Sequence, residues 1–116
     1  MPESDLRLLQ GTLDVLILKA LTFGRQHGFA VAQWIRQTSD DALKIEDGAL
    51  YTALHRMERR GWIEADWGLS ENNRRAKYYR LTADGRRQLR ADAARWTRYA
   101  EALFKILRAS APDAAV

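Results

Sequence analysis

Two stretches of this chain alternate with a period of two, Trp62 to Trp67 and Lys77 to Leu81, and they follow one another across the Gly-, Ser- and Asn-rich link 68–76. The pattern predicts a single β-hairpin. Ile63, Ala65 and Trp67 lie on one face with Tyr79 and Leu81 facing them, and Ser70, Glu71, Asn72 and Asn73 sit at the tip. The other strong periodicities are helical, so the fold class is mainly α with a small β-hairpin. At 116 residues, with no Pro-rich or low-complexity divider, the chain is sized for one domain with one core.

Three helical patterns precede the hairpin. The first runs from Thr12, read as the N-cap, through Leu13, Leu16, Ile17, Ala20 and Leu21 to a stop at Gly24. Val15 and Leu18 make its other side apolar too, so it is expected to be covered on both sides. The second starts near Gly28, turns Phe29, Ala32 and Ile35 inward, and breaks at the Thr38 to Asp41 cluster. The third opens at Glu46 or Asp47 and closes at Gly61, which suits a left-handed C-cap. Leu50, Leu54 and Met57 form its buried stripe, and Ala49, Thr52, His55, Arg56 and Arg59 lie outside it.

After the hairpin, Thr82 caps a long helix to about Arg108, followed by a tail expected to fray over residues 109–116. Leu89, Ala93, Trp96, Ala100, Leu103 and Leu107 are spaced four, three, four, three, four, which is a heptad seam. A seam of that kind faces another helix, and no other helix here is free to match it, so the expected partner is a second copy of the chain.

The formal net charge of +4 says less than where the charge lies. Arg74, Arg75, Lys77, Arg80, Arg86, Arg87 and Arg90 crowd one segment against the single acid Asp84, a local field that attracts polyanions. The absence of cysteine excludes disulfides and thiolate metal sites. His27 has no neighbours at ligand spacing and reads as a local structural residue. MPESDLRLLQ lacks the features of a signal peptide and no segment is apolar enough to span a bilayer, so the expectation is a cytoplasmic protein. No phosphate loop, metal cluster or nucleophile-base set is present, which argues against an enzyme and against a cofactor.

Three helices and a hairpin in this order describe a winged helix-turn-helix, residues 1–82, carrying a C-terminal dimerisation helix, residues 83–108. The third helix fits the major groove of DNA: its small residues let the backbone approach, Thr52 and His55 can bond bases, and Arg56 or Arg59 can reach guanine or phosphate. His55 reads equally well as a polar surface residue. The crowding of cations on the hairpin follows from the same reading, because a wing lying on the DNA backbone needs Asn73, Arg74, Arg75 and Lys77 near its tip. Tyr79 packs inward, whereas Tyr78 faces out with Arg80 toward the sugar-phosphate chain. For Arg86, Arg87 and Arg90 a solvated helix face is the better reading.

The segment GALYTALHRMERRGWIEADWGLSENNRRAKYYRLTADGRRQL, with LLQGTLDVLILKAL and HGFAVAQWI before it, resembles the PadR-type winged-helix transcriptional regulators, in the subgroup with a single C-terminal helix. The resemblance implies a homodimeric repressor of a pseudo-palindromic operator. Its interface would be built by the first helix, through Leu13, Leu16 and Ile17, and by the final helix, through Leu89, Ala93, Trp96, Ala100, Leu103 and Leu107. By position, Tyr51, Thr52, Arg56, Arg74 and Lys77 fall on the family's DNA-contacting elements. Where many relatives have proline, this chain has Thr52, so the operator cannot be borrowed from them.

The resemblance also implies response to small aromatic molecules near the dimer interface. Trp96, flanked by Ala93 and Ala100, could stack a planar ligand, or could simply fill a dimer core. The rival function is a winged-helix module for protein contacts without direct DNA binding, which would need no arginines on its wing.

Overall fold

The structure, a computed structural model, describes residues 11–112. The N-terminal segment MPESDLRLLQ and the last four residues of the expected frayed tail lie outside them. α1 (Thr12–Ala20) does not begin as its sequence suggests: Gly11 is the N-cap, with φ of 88°, and Thr12 is already helical. Thr12 therefore cannot cap, and its Oγ1 is buried without a hydrogen-bond partner among the described residues. The helix tightens into a 3-10 turn, Leu21–Phe23, which ends at Gly24 with φ of 120°.

Two residues later comes β1 (Gln26–His27), a strand too short for any periodicity to reveal. α2 (Gly28–Thr38) follows at once, capped by His27, whose Nδ1 accepts from the Ala30 amide at 3.1 Å. That bond gives His27 its local structural role. α2 buries Gly28, Val31 and Ile35, with Ala32 half-buried. Phe29, expected inside, is exposed because it stands one helical step off that stripe.

α3 (Asp47–Arg59) buries Leu50, Ala53, Leu54 and Met57. Its end is a Schellman motif: Gly61 has φ of 79°, its amide donates to the Glu58 carbonyl, and the Trp62 amide donates to the Met57 carbonyl. β2 (Ile63–Leu69) and β3 (Arg75–Leu81) then form the wing, each longer than its alternation suggests, because the ladder continues through Gly68↔Ala76 and Leu69↔Arg75. Ile63 faces Leu81 and Ala65 faces Tyr79, as the alternation requires. β1 pairs antiparallel with β3, giving the sheet order β1-β3-β2.

Ile17, Leu18, Leu21, Val31, Ile35, Leu50, Leu54, Met57, Ile63 and Tyr79 form the core between the helices and one face of this sheet. α4 (Ala83–Arg108) is anchored to that body at its start. Thr82 Oγ1 accepts from the Gly85 amide at 3.0 Å and donates to the Gly61 carbonyl at 2.6 Å. Gly85 passes so close to Trp62 that a Cβ there would lie 2.0 Å from its carbonyl oxygen. A 26-residue helix is about 39 Å long, and its second half leaves the body. The molecule accordingly measures 69 × 34 × 21 Å, with a radius of gyration of 17.6 Å against roughly 13 Å for a compact domain of about this size. Among the described residues no helix is long and apolar enough to cross a membrane.

Candidate nucleic-acid interface

The burial of one stripe of α3 decides what the other side can offer. Ala49, Tyr51, Thr52, His55 and Arg59 are all exposed on it. Tyr51 lies across the start of α2: a Cβ on Gly28 would come within 2.9 Å of its ring and hydroxyl, so glycine is what lets α3 sit this close to its neighbour.

The wing tip is a tight turn in which the Ser70 amide donates to the Arg74 carbonyl at 2.8 Å and Asn73 takes a φ of 59°. Asn73, Arg74 and Arg75 are exposed there. Among the described residues none of Arg59, Arg74 and Arg75 has an acidic partner. Arg75 instead lies over the exposed Trp67 ring at 4.6 Å, a cation–π contact that holds the side chain without neutralising it.

Two of the residues grouped with these on sequence stand differently. Arg56 is half-buried and donates to the Asp14 carboxylate of α1, and Lys77 is half-buried and donates to Glu58 of α3 at 3.2 Å. Neither presents an unpaired charge.

The outer face of the wing also departs from expectation. Tyr78 does not point to solvent beside Arg80. Its hydroxyl donates to the Leu69 carbonyl at 2.8 Å, and its ring is covered by Arg25 at 4.0 Å and met edge-on by His27. Arg25 also holds Asp66 through two hydrogen bonds of 3.1 and 3.3 Å. Those bonds, with the charges of Arg25 and Arg80, keep the Asp66 carboxyl below its ordinary value against a smaller opposing effect of burial. Arg80 sits 3.6 Å from Glu64. Three elements therefore meet at a clamp that fixes the wing. Sequence reasoning missed it because Arg25 and Asp66 are 41 positions apart, Arg25 lies on no periodic run, and the alternation of 62–67 places Asp66 on a face without naming its partner.

On the opposite face Tyr79 is buried, as its alternation requires. Burial, then the neighbouring charges of Glu58 and Tyr51, push its phenol pKa up.

The seam of α4 divides in two. Leu89 packs against the core and Ala93, Trp96 and Ala100 are half-buried. Leu103 and Leu107 are exposed, as are Phe104 and Ile106 beside them, at 40–74 %. Tyr99 meets Trp96 edge-on, with ring centroids 5.8 Å apart. Of the α1 residues expected at an interface, Leu13 and Leu16 are half-buried, but Ile17 is fully enclosed in the chain's own core and has no surface to give a partner.

An exposed polar helix beside a cation-tipped wing is the architecture of a winged-helix DNA-binding regulator. The comparisons with known proteins agree. Residues 17–91 match the transcriptional regulator PadR-like family. The chain is 28% identical to a transcriptional regulator from Clostridium thermocellum, with a TM-score of 0.76 over 85% of this chain and 96% of that one. It is 30% identical to a PadR family transcriptional regulator from Eggerthella lenta, with a TM-score of 0.70 over 87% and 86%. An uncharacterized protein from Lysinibacillus sphaericus is 29% identical over 87% of this chain and 91% of its own. The chain belongs to the PadR-like family of transcriptional regulators, and its function is regulatory rather than enzymatic.

Proposed function

We propose that the protein is a homodimeric repressor that reads a pseudo-palindromic operator. Each protomer places the exposed side of α3 in a major groove, with Ala49 allowing close approach, Thr52 and His55 facing base edges, and Tyr51 and Arg59 at the groove walls. Asn73, Arg74 and Arg75 of the wing contact the backbone. The observation that carries this reading is the set of exposed cations on α3 and the wing tip, Arg59, Arg74 and Arg75, that have no acidic partner among the described residues. A winged-helix module used only for protein contacts has no need of them.

The dimer is supported by α4. Leu103, Phe104, Ile106 and Leu107 form an exposed apolar end that no other described element covers, and a second copy of the same seam matches it by symmetry. Leu13, Leu16, Ala93, Trp96 and Ala100 line the part nearer the body. A planar aromatic ligand stacked on the two Trp96 rings would relieve repression if it favoured the arrangement less suited to DNA.

Selection of duplexes from a random pool, followed by footprinting, tests the reading. The expected result is an inverted repeat with half-sites about one helical turn apart and protection of successive major grooves. Recovery of no preferred sequence would overturn it.

A further inference from the structure

We infer that Arg56 and Lys77 are positioning residues rather than phosphate ligands: the pairs Asp14–Arg56 and Glu58–Lys77 brace the two flanks of α3 against α1 and the wing. The inference rests on the reading of α3 as the recognition helix. Residues two apart on a helix point about 200° from one another, so Arg56 and Glu58 leave α3 on opposite sides of its exposed stripe. Arg56 reaches Asp14, 42 positions earlier, and Lys77 reaches back to Glu58 across 19. Each pair therefore joins two separate elements. Lys77 Nζ also stands 5.6 Å from the Tyr79 ring, which ties that pair to the buried face of the sheet.

Burial separates these pairs from the other ion pairs between elements. Asp14 and Arg56 side chains are 13 % and 34 % exposed, Glu58 and Lys77 35 % and 27 %, whereas Arg25 and Asp66 are at 41 % and 50 %. Partly buried charges are less screened by water and salt, and removing one leaves the other unpaired in a poor solvent for charge. A DNA phosphate seeking Arg56 would have to displace an enclosed carboxylate. The four side chains also sum to no net charge, so they add nothing to the field that draws DNA in. What they fix is orientation, and a reading head needs its supports to hold it within a fraction of an ångström.

The test removes the acids and leaves the cations. Asp14→Asn and Glu58→Gln are compared with the parent for binding to the duplex that the parent selects and to a scrambled duplex, each across a salt series. A brace predicts that either variant loses roughly tenfold in the ratio of selected to scrambled affinity, the effect of a coupling of about 1.4 kcal/mol, with the salt slope unchanged. A merely structural role would lower both affinities together and leave the ratio alone. The exchanged pair Glu58→Lys/Lys77→Glu is expected to recover most of the ratio, and thermal melting reports whether each variant is folded.

Three results would overturn the inference: an unchanged ratio; tighter binding with a steeper slope, which would mean that released cations reach phosphate; or a lost ratio that the exchange does not restore. A parent protein that selects no sequence would sink the recognition-helix reading itself, a separate and visible failure.

Discussion

Replacing Arg74 and Arg75 by alanine strips the wing tip of its positive charge and touches little else. Both side chains are exposed and, among the described residues, neither is in an ion pair. Arg75 gives up its packing on the Trp67 ring, a cation–π interaction worth about 0.5–1 kcal/mol at an exposed site, so the variant should melt within a few degrees of the parent. Binding should change far more. Each phosphate contact contributes about 0.9 to the slope of log K against log salt, so two cations in each of two protomers account for about 3.6. Over a fourfold rise in salt, from about 50 to 200 mM, that slope is a factor of roughly 100 in affinity. Fluorescence anisotropy of a labelled duplex across that range measures it. A folded double variant whose slope equals the parent's would refute the assignment of the wing to the DNA backbone.

Leu103→Glu/Leu107→Glu should leave the winged helix folded but dissociate the dimer, since four apolar side chains removed from a symmetric interface amount to about 6 kcal/mol or more; an unchanged sedimentation coefficient counts against the α4 interface. Gly85→Ala forces a Cβ into the Trp62 carbonyl and should destabilise the fold by about 3 kcal/mol in urea melts, and a variant as stable as the parent would contradict that close approach. Because the Asp66 pKa is depressed in the folded state, its contribution to stability is present above its ordinary value of 3.8 and is lost as pH falls through that value toward the lower, folded one. The stability gap between the parent and Asp66→Asn should therefore close on acidification, and a gap constant with pH removes the Arg25 clamp from the account. Planar aromatic compounds should quench tryptophan fluorescence in the parent but not in Trp96→Ala, and quenching retained in the variant excludes that site.

The features legible in the sequence are those with a local cause. The Thr82 cap, the Gly61 turn and the register of Ile63 and Ala65 against Leu81 and Tyr79 each depend on residues a few positions apart or on a strict period. The departures have causes of the same scale. Thr12 yields the cap to Gly11, whose left-handed backbone starts the helix one residue earlier, and Phe29 stands one helical step away from the buried stripe. What composition and spacing do not reveal is which charges find each other in three dimensions. Arg56 and Lys77 look like Arg59 and Arg74 in the sequence, yet Asp14 and Glu58 have taken them, and nothing local marks Arg25 as the partner of Asp66. Alternation places Tyr78 on the outer face of the wing but does not say what lies over that face: the turn before β1 brings Arg25 there and β1 itself brings His27.

Sedimentation equilibrium of the protein, alone and with its selected duplex, bears most directly on the whole account. The 13.3 kDa chain should behave as a species of twice that mass at micromolar concentration and bind one duplex as a pair of chains. A single chain in solution that also binds DNA as a single chain would contradict it.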